Sequence, residues 1–244
     1  MSSSGRNIFD IPGDYQHRAL YDGPKSQRRW HQQKIGTVLE VSMHAPFRAA
    51  LDAGCGSGIV ATCLAEKNRH STVVGLDQSE SAVRFCERTY CSQSNLSFIK
   101  ADLTDPCLEL RQKFEFVYST EVIEHLTQDQ VSIYLRNLHR SGSADCRYFL
   151  STPDYSTSWT FVELCLDTLH LTPAMRGHQH LTRFTPKRLQ IALEREGFHV
   201  GRIFGFCGFG PLLSSFSEAI AAKVETWENR HAKGFLIGCE FSKR

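Results

Sequence analysis

Residues 47–58 read FRAALDAGCGSG, an apolar run that ends on Asp52 and is followed by glycines at every second position, Gly54, Gly56 and Gly58. A strand end, a glycine turn and a following helix together make a cradle. Glycine permits positive φ and close approach of a ligand to the backbone, and the first turn of the helix offers free N–H groups. The spacing is not that of the dinucleotide fingerprint GxGxxG, which needs a glycine where this chain has Ile59. Two further carboxylates close strand-like runs, Asp77 in TVVGLD and Asp102 in KADL. At the carboxyl end of such strands an acid can accept hydrogen bonds from both ribose hydroxyls, and a second can accept from an adenine amino group. Each aspartate alone could be a helix N-cap; three at successive strand ends are harder to explain as caps. A second constellation lies in EVIEHL, where Glu121, Glu124 and His125 are spaced i, i+3 and i+4. On a helical turn they share one face, and two carboxylates with an imidazole can hold a divalent cation such as Mg²⁺ or Mn²⁺. The bland alternative is that they only order the turn and the neighbouring pocket.

The elements that must position these residues alternate along the chain. AALD, TVVGLD, LSFIKAD, FEFVYST and RYFLSTP have the apolar, β-rich character of strands. Between them IVATCLAEK, SAVRFCERTYC and QVSIYLRNLHR read as helices. That alternation predicts a mostly parallel sheet with helices on both faces. PKRLQIALEREGF predicts a later helix ending at Gly197, and HVGRIFGF and GFLIGCEF the last strands. Residues 14–46 are helical and basic, broken at Gly23-Pro24, and are expected to form a lid behind a flexible tail, 1–13. Residues 155–183 fit no strand slot and read as an insertion carrying a helix over WTFVELCLDTLHL.

Bulk properties narrow the function. A chain of 244 residues with 41% hydrophobic and 22% charged residues fits one globular domain. A net charge of +2 argues against a nucleic-acid partner. No run is long and apolar enough to span a bilayer, and the N-terminus lacks the apolar core of a signal peptide. Nine scattered cysteines without a CxxC pair point to reduced thiols and a cytoplasmic protein rather than a disulfide framework.

LDAGCGSG, GLD at 75–77, ADL at 101–103 and FEFVYSTEVIEHL at 114–126 together resemble the class I S-adenosylmethionine-dependent methyltransferases. The resemblance covers residues 47–150 and resumes through HLTRFTPKRLQIALEREGF at 180–198. It implies a Rossmann-like α/β fold with seven strands, the last antiparallel, and S-adenosyl-L-methionine as cofactor. Asp52, Gly54, Cys55, Gly56 and Gly58 would form the loop around its methionine part. Asp77 would take the ribose, Asp102 and Leu103 the adenine, and Gln78 and Glu121 would lie beside the cofactor. EVIEHL is most similar to the ubiquinone-type O-methyltransferases. It is also similar to the small-RNA 2′-O-methyltransferases, which add a later histidine to a metal site; His180 could play that part.

Methyl transfer to an oxygen of high pKa requires loss of a proton. His125, just after the fourth strand, and His180, at the end of the insertion, are the candidate catalytic groups, with His125 slightly favoured by its place. In the metal alternative Glu121, Glu124, His125 and His180 surround one cation. Gln179 and LTRFT depart from the RNA enzymes' pattern, which favours a small-molecule acceptor such as a phenol, a quinone precursor or a natural-product scaffold. A metal-dependent RNA 2′-O-methyltransferase and a non-catalytic cofactor-binding or regulatory protein are the alternatives. RRWH at 28–31 reads as a solvated helix face that could touch an anionic group, and Tyr15, His17 and Tyr21 as packing within the lid.

Overall fold

The run that precedes the glycine loop has no solvated face. Ala50, Leu51 and Ala53 of strand β1 (Ala49–Ala53) are wholly enclosed. Such a strand belongs in the middle of a sheet covered on both sides. β1 pairs in parallel with β2 (Thr72–Asp77) on one edge and β4 (Phe114–Thr120) on the other. A computed structural model describes residues 12–168 and 179–244 of the chain. In it seven strands run in the order β3-β2-β1-β4-β5-β7-β6, with β3 at Leu96–Lys100, β5 at Gly142–Pro153, β6 at Phe198–Phe206 and β7 at Leu236–Lys243. β7 is antiparallel to both of its neighbours and the other pairings are parallel. The expected seven-stranded, mostly parallel Rossmann-like sheet with its last strand antiparallel is therefore present.

Helices cover both faces. α2 (Lys25–Ser42) and α3 (Ile59–Lys67) press Val38, Val41, Ala61 and Leu64 onto one face. α5 (Gln128–Ser141) and α7 (Pro186–Arg195) press Leu135, Leu138, Leu189 and Leu193 onto the other. α1 is Tyr15–Tyr21, α4 Glu80–Thr89, α6 Trp159–Thr168, α8 Phe209–Leu213 and α9 Glu218–His231. Local sequence sets several starts. Ser79 caps α4, Thr127 closes a capping box with Gln130, and Thr185 with Pro186 opens α7. No helix among the described residues is long and apolar enough to cross a membrane.

Elements β5, α8 and α9 differ from the sequence expectation. β5 begins at Gly142, five residues before RYFL, and its pairing with β4 shifts register between Phe114 and Phe116. The SGSADC stretch shows no alternation, so only the ladder reveals it as strand. α9 was not expected at all, because it buries only Ala221 and Glu228 and so carries no apolar stripe. The insertion does contain a helix, α6, but residues 169–178 lie outside the described part, as do residues 1–11 of the expected tail.

The chain leaves β1 for β2 and β3 on one side, then returns to β4 on the other. The carboxyl ends of β1 and β4 therefore part at a topological switch point, where open α/β sheets bind ligands. Asp52, opposite Gly75 of β2 and Tyr118 of β4, sits beneath that point and is 1% exposed. Burial pushes its carboxyl up from the ordinary 3.8 to about 8, against the pull of the Tyr118 hydroxyl. A folded-state value above the unfolded one favours the fold at low pH, and that contribution is lost as pH rises from about 4 to about 8. Asp52→Asn keeps the shape of the neutral acid. It should lose less thermal stability than the parent between about pH 5 and about pH 9. Melting temperatures that fall in parallel for the two proteins would contradict this placement.

Candidate active site

Each glycine of the loop has its own neighbour. At Gly54 a Cβ would lie 2.4 Å from the Val122 side chain. Gly56, at φ +51, has Gln16 of α1 above it, 2.6 Å from where a Cβ would stand. Gly58, at φ +72, is the N-cap of α3 and lies under Cys86 and Phe98, each 2.8 Å from a Cβ there. Positive φ demands glycine at Gly56 and Gly58, and at Gly58 the packed Phe98 ring adds to it. Only Gly54 and Gly56 of the three face the cavity that opens above the loop; Gly58, Cys55 and Asp52 support it from below.

That cavity has a volume of about 900 Å³, at the upper end of the roughly 300–1,000 Å³ of small-molecule sites. Asp77, Gln78, Asp102, Leu103 and Glu121 all line it. Asp77 is a clamp. One carboxylate oxygen accepts from Gly56 N and the other from Ser79 N, both at 2.8 Å. Burial raises its pKa, and those amides pull it back. A carboxylate has about four acceptor positions, so the same group can also take two hydroxyls. Asp102 instead turns one oxygen to Thr104, accepting from its N and Oγ1 at 2.7 Å. These residues fit an adenosyl group: a backbone cradle at Gly56 that a side chain would fill, and two acids at adjacent strand ends.

The EVIEHL stretch does not form one α-helical turn. Glu121 has φ +54, and Ile123–His125 make a short 3₁₀ turn. The expected shared face is therefore broken at Glu121, whose carboxylate pairs with Lys34 of α2. Glu124, His125 and His180 do come together, with one ligand atom of each inside 4.8 Å of the others. The backbone brings His180 there, since Leu181 N and Thr182 N both donate to the Glu124 carbonyl, at 2.8 and 3.0 Å. Of the four-residue metal set, three converge and Glu121 is diverted.

Each member of the trio is already engaged. Thr152 Oγ1 donates to Glu124 Oε2 at 3.0 Å, and burial pushes the Glu124 carboxyl up to about 7. His125 Nδ1 faces the Gln179 carbonyl at 2.9 Å, and burial lowers its pKa. His180 Nδ1 lies 2.7 Å from Glu163 Oε1 of α6 and 2.7 Å from the Tyr155 hydroxyl, which itself donates to Glu163 at 2.9 Å. Glu163 is 0% exposed. Sequence reading missed it because it sits in an apolar helix whose spacing gives no sign of a polar partner.

The N-terminal helices form the cavity's outer wall through Tyr15, Gln16, Trp30, His31 and Lys34. RRWH divides. Arg29 turns outward to Glu218 and Glu225 of α9, while Trp30 and His31 face inward. Burial, with Lys34 nearby, pushes the His31 imidazole down to about 2, so it stays neutral. His17 packs at a tilt against Tyr21 of α1 and edge-on against Phe85 of α4.

Residues 50–142 match the family described as "Methyltransferase domain". The chain is 25% identical over 171 residues to the ubiquinone biosynthesis O-methyltransferase of Brucella anthropi, covering 69% of this chain and 66% of that protein. It is 30% identical over 142 residues to the release factor glutamine methyltransferase of Geobacter sulfurreducens, covering 52% of this chain and 49% of that one. It thus spans 66% and 49% of the lengths of these two relatives. Magnesium protoporphyrin IX methyltransferase from Synechocystis, solved with bound SAH, superposes with a TM-score of 0.65 at 20% identity, covering 93% of this chain and 92% of that one. This likeness is one of fold.

Glu163→Ala removes the acceptor shared by buried His180 and half-buried Tyr155. It should cost about 2–4 kcal/mol, the scale of breaking a buried polar pair, and urea denaturation measures it. A loss below about 1 kcal/mol would mean the Tyr155–Glu163–His180 network is not closed.

Proposed function

We infer that this chain, which belongs to the class I S-adenosylmethionine-dependent methyltransferases, moves the methyl group of S-adenosylmethionine to an oxygen of a small molecule. The observation that carries this reading is continuity. One cavity runs from the glycine loop and the strand-end aspartates to the His125–His180 pair. The cofactor supplies an electrophilic methyl on a sulfonium. The chain's own residues then have three tasks. Asp77 and Gln78 hold the ribose, and Asp102 and Leu103 the adenine, while Gly54, Gly56 and Glu121 border the methionine part. Helices α1 and α2 act as a lid that excludes water, with Gln16 closing over Gly56.

The third task is proton removal. We assign it to His180, because Glu163 fixes its Nδ1 as the donor side and leaves Nε2 as the basic one. A buried carboxylate behind an imidazole also stabilises the imidazolium formed on proton uptake. His125, backed only by a carbonyl, is left to position the acceptor. The apolar walls from Trp159, Val162 and Leu212 suit an aromatic or otherwise apolar scaffold.

A second reading is favoured by the Glu124–His125–His180 convergence, in which the trio holds Mg²⁺ or Mn²⁺ and the cation stabilises the acceptor oxyanion. Labelled-methyl transfer from S-adenosylmethionine, run against phenols, quinone precursors and RNAs, tests both. The expected result is label on small hydroxyl acceptors, insensitivity to chelator, and a rate loss of about 10²–10⁴-fold in His180→Ala. Activity that chelator stops and a divalent ion restores establishes the metal reading instead. Label on RNA alone, or on nothing, overturns the small-molecule assignment.

Cofactor binding is tested separately by calorimetry. Asp77→Ala should weaken S-adenosylmethionine binding by about 1.5–3 kcal/mol, the worth of hydrogen bonds to a charged group. Gly56→Val should abolish it. Unchanged affinity in both folded variants would remove the cofactor from this cavity.

A further inference from the structure

Lys34 is the residue hardest to account for by packing. It lies on the inward face of α2, in line with Val38 and Val41, where an apolar side chain would serve the core better. It is 5% exposed, yet it lines the cavity. Its ammonium pairs with the Glu121 carboxylate, whose side chain is 21% exposed. Glu121 is itself held unusually. It occupies left-handed backbone at φ +54, and its N–H is tied to the Ser151 carbonyl at 2.9 Å. A non-glycine residue in that conformation costs energy that the fold elsewhere must offset, and such residues cluster at ligand sites.

The pair stands beside the glycine loop. Val122, next to Glu121, touches Gly54, and Gln16, next to Tyr15, covers Gly56. Tyr15 feels the charges of both Lys34 and Glu121. The other lysine on the cavity wall, Lys100, lies at the far end, paired with Glu80 and half exposed. At the loop, then, the cavity presents one buried cation and one carboxylate side by side.

We propose that Lys34 and Glu121 are a receptor for an α-amino-acid zwitterion, with Lys34 taking the carboxylate of the cofactor's methionyl group and Glu121 its ammonium. This rests on the reading that the cavity holds S-adenosylmethionine. The electrostatics favour it. Pairing a neutral ion pair with a neutral zwitterion adds no net charge to a buried site, and each ion gains a second partner of opposite sign. A lone lysine or a lone glutamate would bind one end of the zwitterion and repel the other. The ion pair also links α2 to the end of β4, so the bound amino-acid group would tie the lid to the sheet.

The alternative is a latch that only holds α2 in place. Two ligands separate them: S-adenosylhomocysteine, which carries the amino-acid group, and 5′-methylthioadenosine, which has the same thioadenosine but no amino acid. In calorimetric titration, Lys34→Met should weaken S-adenosylhomocysteine by about 10- to 100-fold, the worth of charge-assisted hydrogen bonds. Its affinity for 5′-methylthioadenosine should stay within about twofold. Lys34→Met with Glu121→Gln removes both charges and leaves no buried ion alone, so it keeps the test valid if the single variant fails to fold; it should show the same selective loss. Equal weakening of both ligands, or of neither, overturns the zwitterion receptor and leaves the cofactor site standing. A parent protein that binds neither ligand overturns the cofactor reading and this one together.

Discussion

The Asp77 carboxylate fixes the geometry on which everything above the sheet depends. It is the last residue of β2, and with its two oxygens it holds the amide of Gly56 and the amide of Ser79. The first bond sets the height of the glycine loop; the second sets the turn into α4. Desolvation alone would favour the neutral acid, and the amides oppose it. The constraint runs further. The loop at this height accepts Gln16 above Gly56 and Val122 against Gly54, so α1 and the turn after β4 find their positions relative to it.

A second tie operates on the other side of the cavity. The Glu124 carbonyl receives the amides of Leu181 and Thr182, and Thr182 Oγ1 donates to the Leu126 carbonyl at 2.6 Å. These bonds dock the end of the insertion onto the turn after β4, and His180 reaches His125 with ring centres 5.2 Å apart. From the other direction α6 brings Glu163 and Trp159, and Trp159 meets Trp30 of α2. Chain segments separated by over a hundred residues thus enclose one space. All three of these bonds end on backbone carbonyls, so they use none of the side chains of Glu124, His125 and His180.

What was legible in the sequence follows from what leaves a local trace. The strand ends and glycine loop were readable because alternation and glycine spacing are short-range signals. Asp77 and Asp102 were readable as strand-end carboxylates, whereas the place of Glu121 beside the cofactor came only from the resemblance to the methyltransferases. Lys34 and Glu163 were not, because each lies on a helix whose pattern says only that one face is buried. Their meaning depends on partners 87 and 17 residues away, Glu121 and His180. The shared face expected of Glu121, Glu124 and His125 failed for a similar reason. A helical period was assumed where the backbone takes a left-handed residue at Glu121, and no side-chain spacing encodes that. Asp52 and Cys55 carry a motif's signature yet sit beneath the loop, so a motif marks a region and not every contact within it.

Helix α2 unites these observations, because its two faces do opposite things. Arg29 reaches outward to Glu218 and Glu225, and Lys34 reaches inward to Glu121. The outer contacts are largely solvated on the Glu218 side, so they contribute little energy and mainly fix the helix's direction. The Lys34 end of the inner pair is buried and the Glu121 end partly exposed, so its attraction is stronger than at the surface but offset by the cost of desolvation. The net worth of the inner pair is therefore small, because attraction and desolvation oppose each other. That division makes α2 a wall of the cavity on one face and a partner of α9 on the other.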